Sequence, residues 1–163
     1  MNVDAAPSVA EGTPGAVSPI LSTIDVGAIL NISLPGGMLG VLEFDGVGLI
    51  SPEATSDYDF TVTMYSFNGE DEAKISLVQG DSPDGTLFWT PTESAAAGNA
   101  ITVADGEPGQ FVLTDDGSGG ISMRNTFAPP DPDLSVIEPV GFPPYLAYGA
   151  QKSSGPFKIE VVG

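Results

Sequence analysis

Glycine and proline interrupt this chain so often that it has no room for long helices. Together they number 36 of 163 residues (21 plus 15), far above ordinary use. The apolar-patterned runs between them span roughly four to eight residues, a strand's length rather than a helix's. An α/β fold needs a crossover helix between parallel strands, and no stretch supplies one. The chain is therefore expected to be all-β.

The clearest strand signal is Tyr58 to Gln79 (YDFTVTMYSFNGEDEAKISLVQ). Along its first arm Tyr58, Phe60, Val62 and Met64 alternate with Asp59, Thr61, Thr63 and Tyr65, which is the period of a half-buried strand. Asn68-Gly69 follows, a dipeptide that favours two-residue hairpin turns because both residues tolerate positive φ. A turn centred there pairs Phe67 with Glu70, Met64 with Ala73, Val62 with Ile75 and Phe60 with Leu77. That register predicts one apolar face and one solvated face, with Tyr65 on the solvated side opposite Glu72.

Similar runs recur along the chain. Strands are expected at Ala28–Leu34, Met38–Phe44, Val47–Ile50, Thr86–Thr90, Ala100–Ala104, Gln110–Thr114, Ile121–Phe127, Leu134–Ile137 and Pro156–Val162. Pro35-Gly36-Gly37, Asp45-Gly46 and GDSPDG at 80–85 are turns. Ile20–Val26 reads as a first strand or the tail of an arm, and 92–99 as a short helical turn. APPDPD at 128–133 interrupts regular structure, since proline lacks the donor a central strand needs. The pattern predicts an antiparallel β-sandwich, jelly-roll-like or immunoglobulin-like, over residues 20–163. Residues 1–19, rich in Ala, Pro, Gly and Ser, are expected to be an extended arm, flexible alone or ordered by a partner.

Composition narrows function mainly by exclusion. There are 22 acidic against 4 basic residues, a formal charge of −18. A phosphate backbone would be repelled, so nucleic acid is not an expected partner. An anionic membrane surface is disfavoured for the same reason, and no apolar run is long enough to span a bilayer as a helix. The first fifteen residues carry no Lys or Arg, so no signal peptide is expected there. Cysteine and histidine are both absent. Disulfides, thiolate chemistry, a Ser–His–Asp triad and His-ligated zinc are excluded.

What remains is carboxylates and aromatic rings. Calcium is the one cofactor the acidic loops suggest, because it takes hard oxygen ligands. The candidate ligands are Asp81, Asp84, Asp105, Glu107, Asp115 and Asp116, with Asp131 and Asp133 in a further cluster. Asp115-Asp116-Gly117 lacks the spacing of an EF-hand, and turn chemistry alone accounts for many such aspartates. Carboxylate catalysis needs two acids placed across a groove, and the sequence selects no pair. The aromatic candidates are Phe88 and Trp89 in one strand, and Phe142, Tyr145 and Tyr148 in a Pro-rich loop. Phe88 and Trp89 are adjacent and point to opposite faces, so one of them covers a second layer, packs beneath a loop or meets a partner. The single arginine, Arg124, is expected to pair with an acidic neighbour.

These features predict a non-enzymatic assembly protein: an accessory or decoration subunit of a virus particle or surface layer, homo-oligomeric or part of a larger assembly. The virion, or the outside of a cell, is the expected location. The alternative is an extracellular carbohydrate-binding or calcium-dependent adhesion module, with the aromatics and acidic loops as its site.

Overall fold

The computed structural model describes residues 19–82, 84–91, 100–115, 120–125, 134–148 and 156–163. The arm up to residue 18, the turn expected at 92–99, Asp116, and the 128–133 segment with Asp131 and Asp133 lie outside the described residues.

Among the described residues, every regular element after one 3-10 turn at Leu21–Thr23 is a strand. In chain order these are β1 (Ile29–Leu34), β2 (Gly37–Met38), β3 (Gly40–Phe44), β4 (Val47–Ser51), β5 (Phe60–Phe67), β6 (Glu72–Gln79) and β7 (Phe88–Pro91). There follow β8 (Ile101–Ala104), β9 (Phe111–Asp115), β10 (Ile121–Asn125), β11 (Leu134–Ile137), β12 (Tyr145–Tyr148) and β13 (Lys158–Val161). Two expected elements differ. Ile20–Val26 is the 3-10 turn and its exit, not a strand. The Met38–Phe44 run is broken at Leu39, whose side chain is buried and whose N–H donates to Ile32 O at 2.8 Å. Met38 therefore stays with β1, while Gly40 onward joins β4.

All pairings among the described residues are antiparallel, both between neighbours joined by short turns, such as β3–β4 and β5–β6, and between distant strands such as β1 and β13. Eleven strands form one sheet, with a main path β13-β1-β5-β6-β7-β8-β4-β3, and β11 and β12 form a second. The larger sheet branches at β6. Its Val78 end pairs with Phe88 of β7, and its Glu72–Ile75 end pairs with β9, which leads to β10. Phe157, just ahead of β13, bridges to Ile121 at the start of β10 through hydrogen bonds of 2.8 and 3.1 Å. That bridge closes β13-β1-β5-β6-β9-β10 into a ring, so the fold is partly barrel-like.

The β5–β6 hairpin exists, but its register is not the one the Asn68-Gly69 signal predicts. Phe60 pairs with Gln79 and Val62 with Leu77; Phe67 pairs with Ala73. The connection is a four-residue loop, closed by Asn68 N donating to Glu72 O at 2.9 Å. The Asn68 side chain causes the difference. Its Oδ1 accepts from the backbone N–H of Glu70, Asp71 and Glu72 at 2.7, 3.1 and 3.1 Å, which holds a wider turn than a two-residue one. The two-residue turn with positive φ at both positions is Asp45-Gly46, at φ 55° and 78°.

A bulge between Val62 and Met64 makes the second correction. Thr63 is the extra residue, and its hydroxyl donates to Ser76 O at 3.3 Å. One inserted residue moves the following side chains to the opposite face. Phe60 and Val62 face the core before it; Tyr65 and Phe67 pack against the core after it. Tyr65 is therefore not on a solvated face. Its hydroxyl donates to Leu21 O at 2.7 Å, tying the 3-10 turn to the hairpin. Burial, with a smaller push from Asp25, holds the Tyr65 phenol above its usual range.

Candidate functional site

Phe88 and Trp89 part company as adjacent strand residues must. Trp89 is wholly buried. It stands edge-on to Phe60 at 5.0 Å and 85°, and to Phe111 at 5.9 Å and 79°. These are favoured geometries for ring quadrupoles. Trp89 thus joins the branches of the sheet on either side of β6 and is not part of a free surface. Its Nε1 has no hydrogen-bond partner among the described residues. Phe88 is half-buried on the other face, paired with Val78 and Ala104.

The Phe142–Tyr148 segment is only partly a loop. Tyr145–Tyr148 is strand β12, paired with β11 in register from Ile137–Tyr145 to Leu134–Tyr148. Leu146 and Ala147 are buried, and Ala147 bridges to Ala100, just ahead of β8. Tyr145 is half-buried, while the Tyr148 side chain is outside the described residues. Phe142 is different. It is 54% exposed and meets Phe44 edge-on at 5.4 Å.

That contact builds an apolar corner from two turns. Phe44 and Val47 face each other across the Asp45-Gly46 turn. A second turn is closed by Phe142 N donating to Pro139 O at 3.2 Å, with Gly141 at φ 84°. Positive φ at this third turn position is the type II pattern that glycine accommodates. Val140 sits at its apex, 99% exposed, and Val47 is 44% exposed. Glu43, Asp45 and Glu138, all exposed, are close to these residues in sequence. Of the four aromatic candidates whose side chains are described, the structure brings Phe142 into this corner. Phe44, Val47 and Val140 are added to it. The available signal was an apolar residue at or beside a turn apex, where the chain's own core covers it least.

The acidic candidates are dispersed. Asp81 and Asp84 are exposed on the β6–β7 connection, where Asp84 N donates to Ser82 Oγ at 3.2 Å. Asp105 and Glu107 are exposed after β8, and Asp115 ends β9 opposite Ile121. Among the described residues, no three acidic side chains come together as a metal site would require. Arg124 pairs with Glu72 at 3.3 Å, both partly exposed, a geometry worth about 0–1 kcal/mol. An open depression of about 460 Å³ lies where the ring closes, lined by Leu34, Pro35, Phe157 and Lys158 among others.

No known protein family, curated protein or solved structure matches this chain.

Proposed function

We propose that this protein is a non-enzymatic assembly subunit, an accessory or decoration component of a virus particle or surface layer. The observation that carries this reading is the contact of half-buried Phe44 with Phe142 between two turns whose Val47, Val140 and Phe142 side chains are exposed. Contiguous exposed apolar surface marks interaction sites more often than chance exposure does. A fully exposed valine at a turn apex contributes nothing to this chain's own core, whereas burial against a neighbour removes its apolar surface from water. The acidic surroundings fit a component kept soluble until it meets its assembly. Homo-oligomerisation or docking on a larger protein lattice, on a virion or outside a cell, is the form this takes.

The same reading includes a β-sandwich, jelly-roll-like or immunoglobulin-like. The shared core supports it: Phe60 from the ring and Trp89 from the β7 branch meet between the two parts of the sheet.

Sedimentation over a wide concentration range tests the assembly reading. Concentration-dependent species larger than a monomer are expected, and Phe142→Ser with Val140→Asp should shift them toward monomer without lowering the melting temperature. A monomer at every concentration would sink the homo-oligomeric form.

A second reading, a carbohydrate-binding or calcium-dependent adhesion module, draws on the open Phe142 ring, since sugar stacking needs an exposed aromatic face. Calcium bound only by the folded state would raise the melting temperature. An unchanged melt at millimolar calcium removes the calcium-dependent version.

A further inference from the structure

We infer that Asn68 is a site of covalent self-modification, converted to aspartate or isoaspartate by attack of the Gly69 backbone nitrogen on its side-chain carboxamide. The inference stands independently of the assembly reading. It rests on the three N–H groups of Glu70, Asp71 and Glu72 that converge on Asn68 Oδ1 at 2.7, 3.1 and 3.1 Å.

A side-chain amide oxygen held by three backbone donors is an oxyanion hole in miniature. As a nucleophile adds to Cγ, negative charge develops on Oδ1, and fixed N–H dipoles aimed at that atom stabilise it without reorganising. The nucleophile is the backbone nitrogen next in the chain, the one atom from which a five-membered ring can close on Cγ. Gly69 is exposed, and its N–H donates to no group among the described residues. The space where its Cβ would stand is open, and its φ is +86°. Nothing blocks solvent from reaching the amide, and no side chain hinders ring closure.

The chemistry balances with water alone. Solvent base removes the Gly69 amide proton, the nitrogen forms a bond to Cγ, and the C=O electron pair moves onto Oδ1. Collapse of that intermediate breaks the Cγ–Nδ2 bond, and the amine takes a proton from solvent and leaves as ammonia. The product is a five-membered succinimide. Water then opens it. Cleavage of the new Cγ–N bond restores a normal backbone with aspartate at 68. Cleavage of the original backbone C–N bond leaves isoaspartate, with the chain running through Cγ. The net change is water consumed, ammonia released and one negative charge gained.

The two products affect the tip differently. Aspartate keeps a carboxylate oxygen for the three N–H donors but loses the Nδ2 contact to Asp71 Oδ1 at 3.4 Å. Isoaspartate adds a backbone carbon inside the loop that Asn68 N closes onto Glu72 O, so it loosens the hairpin end. Glu70, Asp71 and Glu72 oppose the developing anion through like charge, an effect that salt screens.

The test compares the folded protein with a synthetic peptide of residues 64–74, both held in mildly alkaline buffer at physiological temperature. Conversion is followed by the mass change of amide to acid and by isoaspartate detection at position 68. A rate several-fold higher in the folded protein, rising further with added salt, is expected. An equal or slower rate in the folded protein overturns the inference, because the three donors would then be protecting Asn68 rather than activating it.

Discussion

The indole of Trp89 stands edge-on to the ring of Phe60, with centroids 5.0 Å apart. This contact joins a strand of the closed ring to the branch that leaves it at β6, so the two parts of the sheet share one core there. Trp89→Ala is expected to cost about 3–5 kcal/mol, the range for emptying a large aromatic site. Trp89→Phe should cost much less, because it keeps an aromatic ring and removes an indole N–H that has no partner among the described residues. Urea unfolding followed by circular dichroism checks both. In the unaltered protein Trp89 is the sole tryptophan, so its fluorescence should shift to the red on unfolding, reporting this contact directly.

Tyr65 links stability to alkaline pH. Its phenol has an ordinary value of 10.0 and is held higher in the fold, first by burial and then by Asp25. The unfolded chain therefore loses this proton at a lower pH than the folded chain does. The stabilising effect is complete below pH 10 and shrinks as pH rises above it, because ionisation then favours unfolding. Melting temperature should fall on that side of the profile, and less steeply in Tyr65→Phe. The same variant loses the hydrogen bond to Leu21 O, worth about 0.5–1.5 kcal/mol at neutral pH.

Gly109 tests how tightly the chain passes Trp89. A Cβ there would lie 2.6 Å from Trp89 O, 2.7 Å from Pro91 Cδ and 3.0 Å from Phe111 Cε2. A backbone oxygen, a proline ring and a core phenylalanine cannot all give way. The site also supplies the carbonyl that accepts from Ser76 Oγ at 2.7 Å and the N–H that donates to Trp89 O at 2.9 Å. Gly109→Ala should destabilise by about 1–3 kcal/mol, as overpacking does. A thermal melt within error of the unaltered protein would contradict this packing.

Strand positions were legible in the sequence because apolar alternation and Gly/Pro punctuation act locally. Leu30, Ile32 and Leu34 face the core as their spacing predicts. Register was not legible. The wide Asn68 turn depends on one side chain folding over three backbone groups, and the Thr63 bulge turns Tyr65 toward Leu21, a partner distant in sequence. Alternation alone placed Tyr65 outside, and the bulge brought it in. Sheet branching at β6 and ring closure through Phe157 are long-range pairings with no local signal. The apolar corner was half legible. Phe142 stood out as an aromatic in a Pro-rich segment, but its neighbour Phe44 is far away in sequence and carried no mark beyond its Asp-Gly turn.

The Asn68 turn makes a prediction about stability that is separate from its chemistry. Asn68→Ala removes the acceptor of three backbone N–H groups at once. The loop is exposed, so water replaces these bonds in part, and the expected loss is about 1–2 kcal/mol rather than the sum of three buried bonds. Asn68→Asp keeps an oxygen in the same place, and a charged acceptor strengthens each bond. Opposing this, its carboxylate stands beside Asp71, with Glu70 and Glu72 close in sequence. The two effects make Asn68→Asp less destabilising than Asn68→Ala in high salt, where repulsion is screened, with the gap narrowing in low salt. Paired melts of the two variants across ionic strength measure this directly. If Asn68→Ala melts with the unaltered protein, the turn is held by its backbone closure to Glu72 and not by the side chain.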